Sequence, residues 1–261
     1  MDVRDGRRLN GRVCVVAGVM GDMGEAIARR FAEEGGIVVG LDRRHHTVGT
    51  RALIVDLMEE AAVQDAYGRV AAEFGRIDVL YNNAGPIDPE DHSALDTTFE
   101  TWNRVIASVL TVTWLSCKHA VPHMGKHSTT GSIINTTSFL AGMGAATGQM
   151  AFNAAKAGVE QLSRDLGVHL ARSNIRVNAL AVGPIETRGI KATFERIGPA
   201  QATRRFTHMP MGRFGTLEEL AATAAYLASD DAGFVTAASF PLNGGIPGAF
   251  TVPDTPSRHS R

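Results

Sequence analysis

The stretch GQMAFNAAKAGVEQL, Gly148 to Leu162, reads as the start of a long helix carrying one cation, Lys156. A lysine amine can hold a hydroxyl or supply a proton. Positions four apart lie on one helical face, so the side chain one turn earlier shares its surroundings. That side chain is Phe152, whose ring neither donates nor accepts a proton. A second chemical feature is VVAGVMGDMGEAIA, a glycine-rich turn between a strand and a helix. Glycines there let the backbone approach a pyrophosphate, and the helix N-terminus stabilises its charge. Asp42 ends the next strand, 18 residues after Gly24, where a carboxylate can accept both hydroxyls of an adenosine ribose. A carboxylate at that place repels a 2′-phosphate, so NAD(H) is favoured over NADP(H). Arg43 and Arg44 keep the second cofactor open, although they read more simply as solvated loop charges. Asp56, ending the third strand, is placed near the adenine; its plainer role is to cap the helix that follows.

These residues need a frame. Short β-rich runs alternate with amphipathic segments, the pattern of a parallel sheet covered by helices on both faces. RVCVVAG, GIVVGLD, RALIVDL, RIDVLYNNAG, GSIINTTS, IRVNALAVG and VTAASFPLNGG supply seven strands. After the first, Met23, Ile27 and Phe31 recur four apart as an apolar stripe. Thr98 to Met124 reads as one long helix stopping near Pro122 and Gly125. Arg188 to Arg213 is the least periodic interior segment, and it follows strand six, where such sheets place elements that cover a ligand. The expected organisation is one α/β domain over 1–250 with a tail at 251–261.

Composition narrows the function classes. With 26 Lys+Arg against 27 Asp+Glu the net charge is −1, which gives no electrostatic reason for a nucleic-acid or membrane partner. The two cysteines, Cys14 and Cys117, sit in apolar segments without metal-ligand spacing, so buried thiols are expected and no metal site. No apolar run approaches membrane-spanning length, and the N-terminal residues lack the apolar core of a signal peptide. A soluble, cytoplasmic protein is the expectation.

From about Arg12 to Gly245 the chain resembles the short-chain dehydrogenase/reductase family. NNAG (Asn82–Gly85), Lys156 within AAKAGVEQL, IRVNALAVGPIET and MGRFGTLEELA match family motifs in order and spacing. The resemblance implies a Rossmann-type doubly wound sheet in the order 3-2-1-4-5-6-7, a homotetramer or homodimer, and a small-molecule substrate. By position, Gly18, Met23 and Gly24 approach the pyrophosphate and Asp42 the ribose. Asp56 and Leu57 border the adenine, and Asn83, Ala84 and Gly85 line the cofactor. Gly183, Ile185 and Thr187 follow strand six, the last two toward the nicotinamide carboxamide and the pyrophosphate. The family's catalytic set is a tyrosine acid/base, a lysine four residues later on the nicotinamide ribose, a serine ending strand five, and an asparagine on the long helix. This sequence keeps Lys156 and Ser138, with Thr137 as an alternative hydroxyl. It places Phe152 at the tyrosine and Val109 at the asparagine, by counts from both Trp102 and Pro122. Asp22 stands at the middle glycine of the turn motif, Ala17 at its threonine, and Val182 at the proline before Gly183.

Other candidates are weaker. Tyr67, Tyr81 and Tyr226 read as packing residues. His92, after NNAG, is the best replacement acid, though a solvated loop histidine is the simpler reading. His119, His123 and His127 repeat every four residues, yet Pro122 interrupts them. Met143, Met150, Met209, Phe139, Phe152, Phe206 and Phe214 suit a bulky hydrophobic ligand, or ordinary packing. Three functions follow: a divergent NAD(H)-dependent oxidoreductase acting on a hydrophobic hydroxy or keto compound; a repurposed enzyme catalysing a non-redox cyclisation or elimination; or a non-catalytic binding or scaffold subunit.

Overall fold

The computed structural model describes residues 7–83, 85–125, 130–144 and 148–249, with 197 and 199–206 in backbone only. Ala84, His127 and the tail at 251–261 therefore lie outside the described residues. Seven parallel strands form one sheet in the order β3-β2-β1-β4-β5-β6-β7, as the resemblance implies. They are β1 (Val13–Ala17), β2 (Ile37–Asp42), β3 (Arg51–Ile54), β4 (Val79–Asn82), β5 (Gly131–Ser138), β6 (Ile175–Val182) and β7 (Ser239–Leu242). The central strands β1, β4, β5 and β6 are buried along their whole length. That burial explains their near-continuous apolar runs, since strands covered on both faces need no polar alternation.

Helices α1 (Asp22–Glu33) and α7 (Leu217–Ala228) cover one face, where Ile27, Phe31, Leu220 and Ala224 pack with Val16, Val38 and Ile134. Helices α2 (Glu60–Phe74), α4 (Val112–Ala120) and the later part of α5 (Met150–Leu170) cover the other with Tyr67, Val70, Leu115 and Leu170. Helix α3 (Phe99–Ile106) precedes α4, and α6 (Arg188–Phe206) follows β6, broken at Gly198, whose φ is +77°. The irregular segment after β6 is thus helical in two pieces.

Three local departures matter. The expected long helix from Thr98 is helical throughout but opens into a π-helical turn at Ala107–Thr111, between α3 and α4. Such turns often mark functional places in helices. The combined stretch Phe99–His123 is long and apolar enough by composition to cross a membrane, but 44% of its most apolar window is buried within this fold. Asp56 does not cap α2: its carboxylate accepts the Met58 N–H at 3.0 Å, and Glu59 is the residue at the cap. Finally, β2 and β3 are joined by only residues 43–50, with no helix. A parallel crossover ordinarily takes a dozen residues or more. Here Val38 and Thr50 close the short connection: the Thr50 N–H donates to the Val38 carbonyl at 2.7 Å and Val38 N–H to Thr50 Oγ1 at 3.2 Å.

Candidate active site

The turn after β1 is held from three sides. Gly18 takes a φ of +77°, a left-handed conformation that glycine adopts without cost. A side chain at Gly24 would place Cβ 2.5 Å from the Gly18 carbonyl oxygen, so only glycine lets α1 close onto the turn. Asn83, just past β4, donates through Nδ2 to that same carbonyl at 3.1 Å. Its other side-chain atom, Oδ1, is buried without a partner, which leaves an acceptor beside the turn. Asp42 sits at the C-terminal end of β2, where Oδ2 accepts the Met20 N–H at 3.1 Å and Oδ1 accepts the Arg44 N–H at 3.1 Å. Arg44 is not simply solvated: its guanidinium donates to the Met20 carbonyl at 2.8 Å and lies 3.5 Å from Asp42. This glycine cradle, carboxylate and orphan acceptor fit the adenosine and pyrophosphate half of a dinucleotide.

Asp22 begins α1 in ordinary helical geometry, so the missing middle glycine needs no unusual backbone. Its carboxylate turns to the start of α6, accepting the Arg188 N–H at 2.7 Å and Nε–H at 2.6 Å. The guanidinium holds the Asp22 carboxyl below the usual carboxylate range. Thr187, one residue earlier, caps α6 by accepting the Ile190 N–H at 3.2 Å. Gly183 packs against Asn243, and Ile185 is buried and paired with Gly215. Of the other expected cofactor residues, Met23, in the first turn of α1, packs on the core of that face, Leu57 is buried in the core of the opposite face, and Asp56 is exposed.

The second half of the site is built on α5. That helix is anchored to the sheet by a buried relay: Asn82 Nδ2 donates to Asn135 Oδ1 at 2.7 Å, and Asn135 Nδ2 donates to Ser163 Oγ at 3.0 Å. Its N-terminus is fixed by Asp91, a buried residue the sequence reading missed. The Asp91 carboxylate accepts the Ala151 N–H at 3.0 Å and the Phe152 N–H at 2.8 Å. Carbonyls of Asp91 and His92 take the Gln149 and Met150 N–H groups. The loop after NNAG is thereby pinned to α5 by its backbone, while His92 remains exposed.

Lys156 is buried, and its ammonium donates to the Thr136 carbonyl at 2.8 Å. Burial pushes its pKa down to about 8. Its Nζ stands 5.5 Å from the centre of the Phe152 ring, close enough for a cation–π attraction. Phe152 joins a hydrocarbon cluster with Val105, Val109, Ala151, Ala155 and Val159. Val109 lies in the π-helical turn, is fully buried, and presses on Gly85, where an added Cβ would meet its Cγ2 at 2.9 Å. The structure therefore brings Phe152, Val109 and Lys156 into one corner. Ser138 ends β5 and accepts the Leu140 N–H at 3.2 Å through Oγ, with its own O–H left to donate. Thr137 points to the opposite face of the strand, its hydroxyl buried and unpartnered.

The remaining sequence candidates are elsewhere. Tyr81, in β4, is fully buried with Thr136 donating to its hydroxyl at 2.8 Å; Tyr67 and Tyr226 are on α2 and α7. His119 pairs with Glu60 at 3.1 Å. Phe194 and Phe214 meet edge to face at 4.8 Å, and Met209 is buried, whereas Met143 and Met150 stay about 40% exposed beside the start of α5.

A parallel seven-stranded sheet, a glycine cradle after β1 and a buried lysine on α5 define a nicotinamide-dinucleotide-binding α/β protein. Residues 18–247 match the family model described as enoyl-(acyl carrier protein) reductase. The chain is 39% identical over 246 residues to cis-4-hydroxycyclohexanecarboxylate dehydrogenase of Sinomonas cyclohexanicum, spanning 90% of this chain and 96% of that one. It is 33% identical to meso-2,3-butanediol dehydrogenase of Serratia marcescens, over 91% of this chain and 95% of that one. Among solved structures, levodione reductase superposes with a TM-score of 0.85 at 29% identity, covering 93% of this chain and all of its own. The chain belongs to the short-chain dehydrogenase/reductase family, and its relatives are oxidoreductases.

Proposed function

We propose that this chain is an NAD(H)-binding oxidoreductase for a hydrophobic, alicyclic hydroxy or keto compound, with ordinary ketone turnover suppressed because its acid/base tyrosine is replaced. The observation that carries this reading is the corner where Lys156 faces the Phe152 ring and Val109 closes on Gly85. A nicotinamide, when bound, supplies or accepts hydride. The chain's own residues must then hold the substrate oxygen and move a proton to it.

Ser138 is suited to the first task, since its O–H can donate to that oxygen. Lys156 is suited to holding a ribose hydroxyl; its stem keeps the amine against the Thr136 carbonyl. Phe152 and Val109 put hydrocarbon beside Lys156 and carry no exchangeable side-chain proton, so on this reading the proton comes from water. Loss of a positioned acid costs ~10²–10⁴-fold in rate.

NAD(H) is supported over NADP(H) because a 2′-phosphate would meet the Asp42 carboxylate, and Arg44 is already engaged there. Met143 and Met150 offer a flexible apolar border near the start of α5. The relative acting on a hydroxycyclohexane carboxylate supports a ring-shaped substrate. Exposed Phe99, Trp102 and Trp114 on α3 and α4 support self-association.

The test is a calorimetric titration of NADH and NADPH into the unmodified protein, followed by NADH oxidation with cyclohexanone carboxylates. Micromolar NADH affinity, at least tenfold weaker NADPH, and turnover near background are expected. Absence of NADH binding at millimolar cofactor would overturn the cofactor assignment, and brisk ketone reduction would overturn the acid/base one.

A further inference from the structure

Asp22 puts a fixed negative charge on the first residue of α1, the helix whose N-terminus faces the turn after β1. An anion-binding helix end with its own carboxylate should repel a pyrophosphate. The structure shows what stands against that carboxylate. Arg188, 166 residues away, gives it three contacts: the backbone N–H at 2.7 Å, Nε–H at 2.6 Å, and a second guanidinium nitrogen on the same oxygen. The Asp22 side chain is 15% exposed and that of Arg188 82%, so the carboxylate is covered by the guanidinium and the guanidinium faces solvent. The backbone bond also makes Asp22 a remote cap for α6, whose first residue is Arg188. Glu25, in the same first turn of α1, adds a weaker attraction for the arginine.

Resting on the NAD(H) reading above, we propose that Arg188 is a compensating cofactor-site residue: it neutralises Asp22 so that a turn lacking its middle glycine still accepts a dinucleotide pyrophosphate. The positive charge does not sit in the turn itself. It is delivered from the element after β6, next to Thr187, so that turn and α6 form one electrically balanced mouth. Two roles can be separated by sign. If the pair only docks α6, removing either partner weakens cofactor binding alike. If Arg188 masks a repulsive charge, removing Arg188 weakens binding and removing the charge at Asp22 does not.

The experiment is a double-mutant cycle on the full chain with Arg188→Ala, Asp22→Asn, Asp22→Gly and the Arg188→Ala combinations, read as NADH affinity by fluorescence titration at low and high salt. Arg188→Ala alone is expected to weaken NADH about tenfold at low salt, less at high salt, because the unmasked charge is screened. Asp22→Asn, whose amide oxygen can still accept the Arg188 N–H, should bind NADH at least as tightly as the native protein; Asp22→Gly, which also loses that bond, should still bind more tightly than Arg188→Ala. In either background Arg188→Ala should then cost less than twofold. Equal losses in the Asp22 and Arg188 single variants would overturn the proposal, as would an unchanged Arg188→Ala. Failure of the native protein to bind NADH would count against the function reading alone. The same cycle with inorganic pyrophosphate as probe would then decide the pair, and no difference among the variants would overturn it.

Discussion

At the turn after β1, the carboxylates of Asp22 and Asp42 are each held by a backbone N–H and an arginine, and Asn83 bonds the Gly18 carbonyl. At the start of α5, Phe152, Val109, Val105 and Ala155 form a hydrocarbon cluster, and the cation beside it, Lys156, is penalised by burial. The first corner adjoins the ends of β1, β2 and β4 and the second those of β4 and β5, yet one is organised by hydrogen bonds and the other by apolar packing. The polar corner specifies a shape and a charge for something that binds. The apolar corner fixes a lysine but offers no proton path from Phe152 or Val109. On the proposed function, cofactor binding and proton delivery fall to different corners of the molecule.

The comparison can be broken first at the polar corner. Gly24→Ala forces Cβ into the Gly18 carbonyl and Asn83, and overpacking of this kind costs about 1–3 kcal/mol. An NADH titration should show affinity falling about 10- to 100-fold; an unchanged value would mean that the turn does not hold the cofactor.

At the apolar corner, the cofactor-free Lys156→Met variant sharpens the contrast through pH. The folded amine, with its pKa near 8, holds its proton less tightly than the unfolded one at 10.5. Native stability is therefore penalised in full below pH 8, and the penalty fades as pH rises toward 10.5. Urea unfolding should find Lys156→Met more stable at pH 7 by about 2 kcal/mol, after loss of the Thr136 bond, with the gain shrinking by pH 10. A pH-independent difference would contradict the burial account. The smallest effect belongs to the boundary between the corners. Asp91→Ala removes acceptors for two N–H groups at the start of α5 and should cost about 1–2 kcal/mol in the same assay. No loss would mean the α5 terminus is held by the backbone bonds alone.

Local periodicity revealed the sheet. All seven strands fall where apolar runs end in turn residues, because burial on both faces writes itself into contiguous sequence. The same local signal could not reveal the ties that shape the site. Asp22 meets Arg188, and Asp91 meets Phe152, across 166 and 61 residues, and neither pair has a local signature. In the sequence Arg44 reads most simply as a solvated charge, because its shortest contact, to the Met20 carbonyl, is with a backbone atom that side-chain pattern does not show. The π-helical turn at Val109 left no mark, since it preserves the helical run and shifts only its phase. Phe152 and Val109 are legible by position as a pair in one catalytic set; the hydrocarbon packing that joins them to Val105 and Val159 is not.

The separation of binding from proton delivery is tested most directly by NADH oxidation with alicyclic ketones at saturating cofactor, comparing the native protein with Phe152→Tyr combined with Val109→Asn. The account predicts native turnover near background and a rise of ~10²–10⁴-fold in the double variant, at unchanged NADH affinity. Native turnover equal to that of the variant would contradict it.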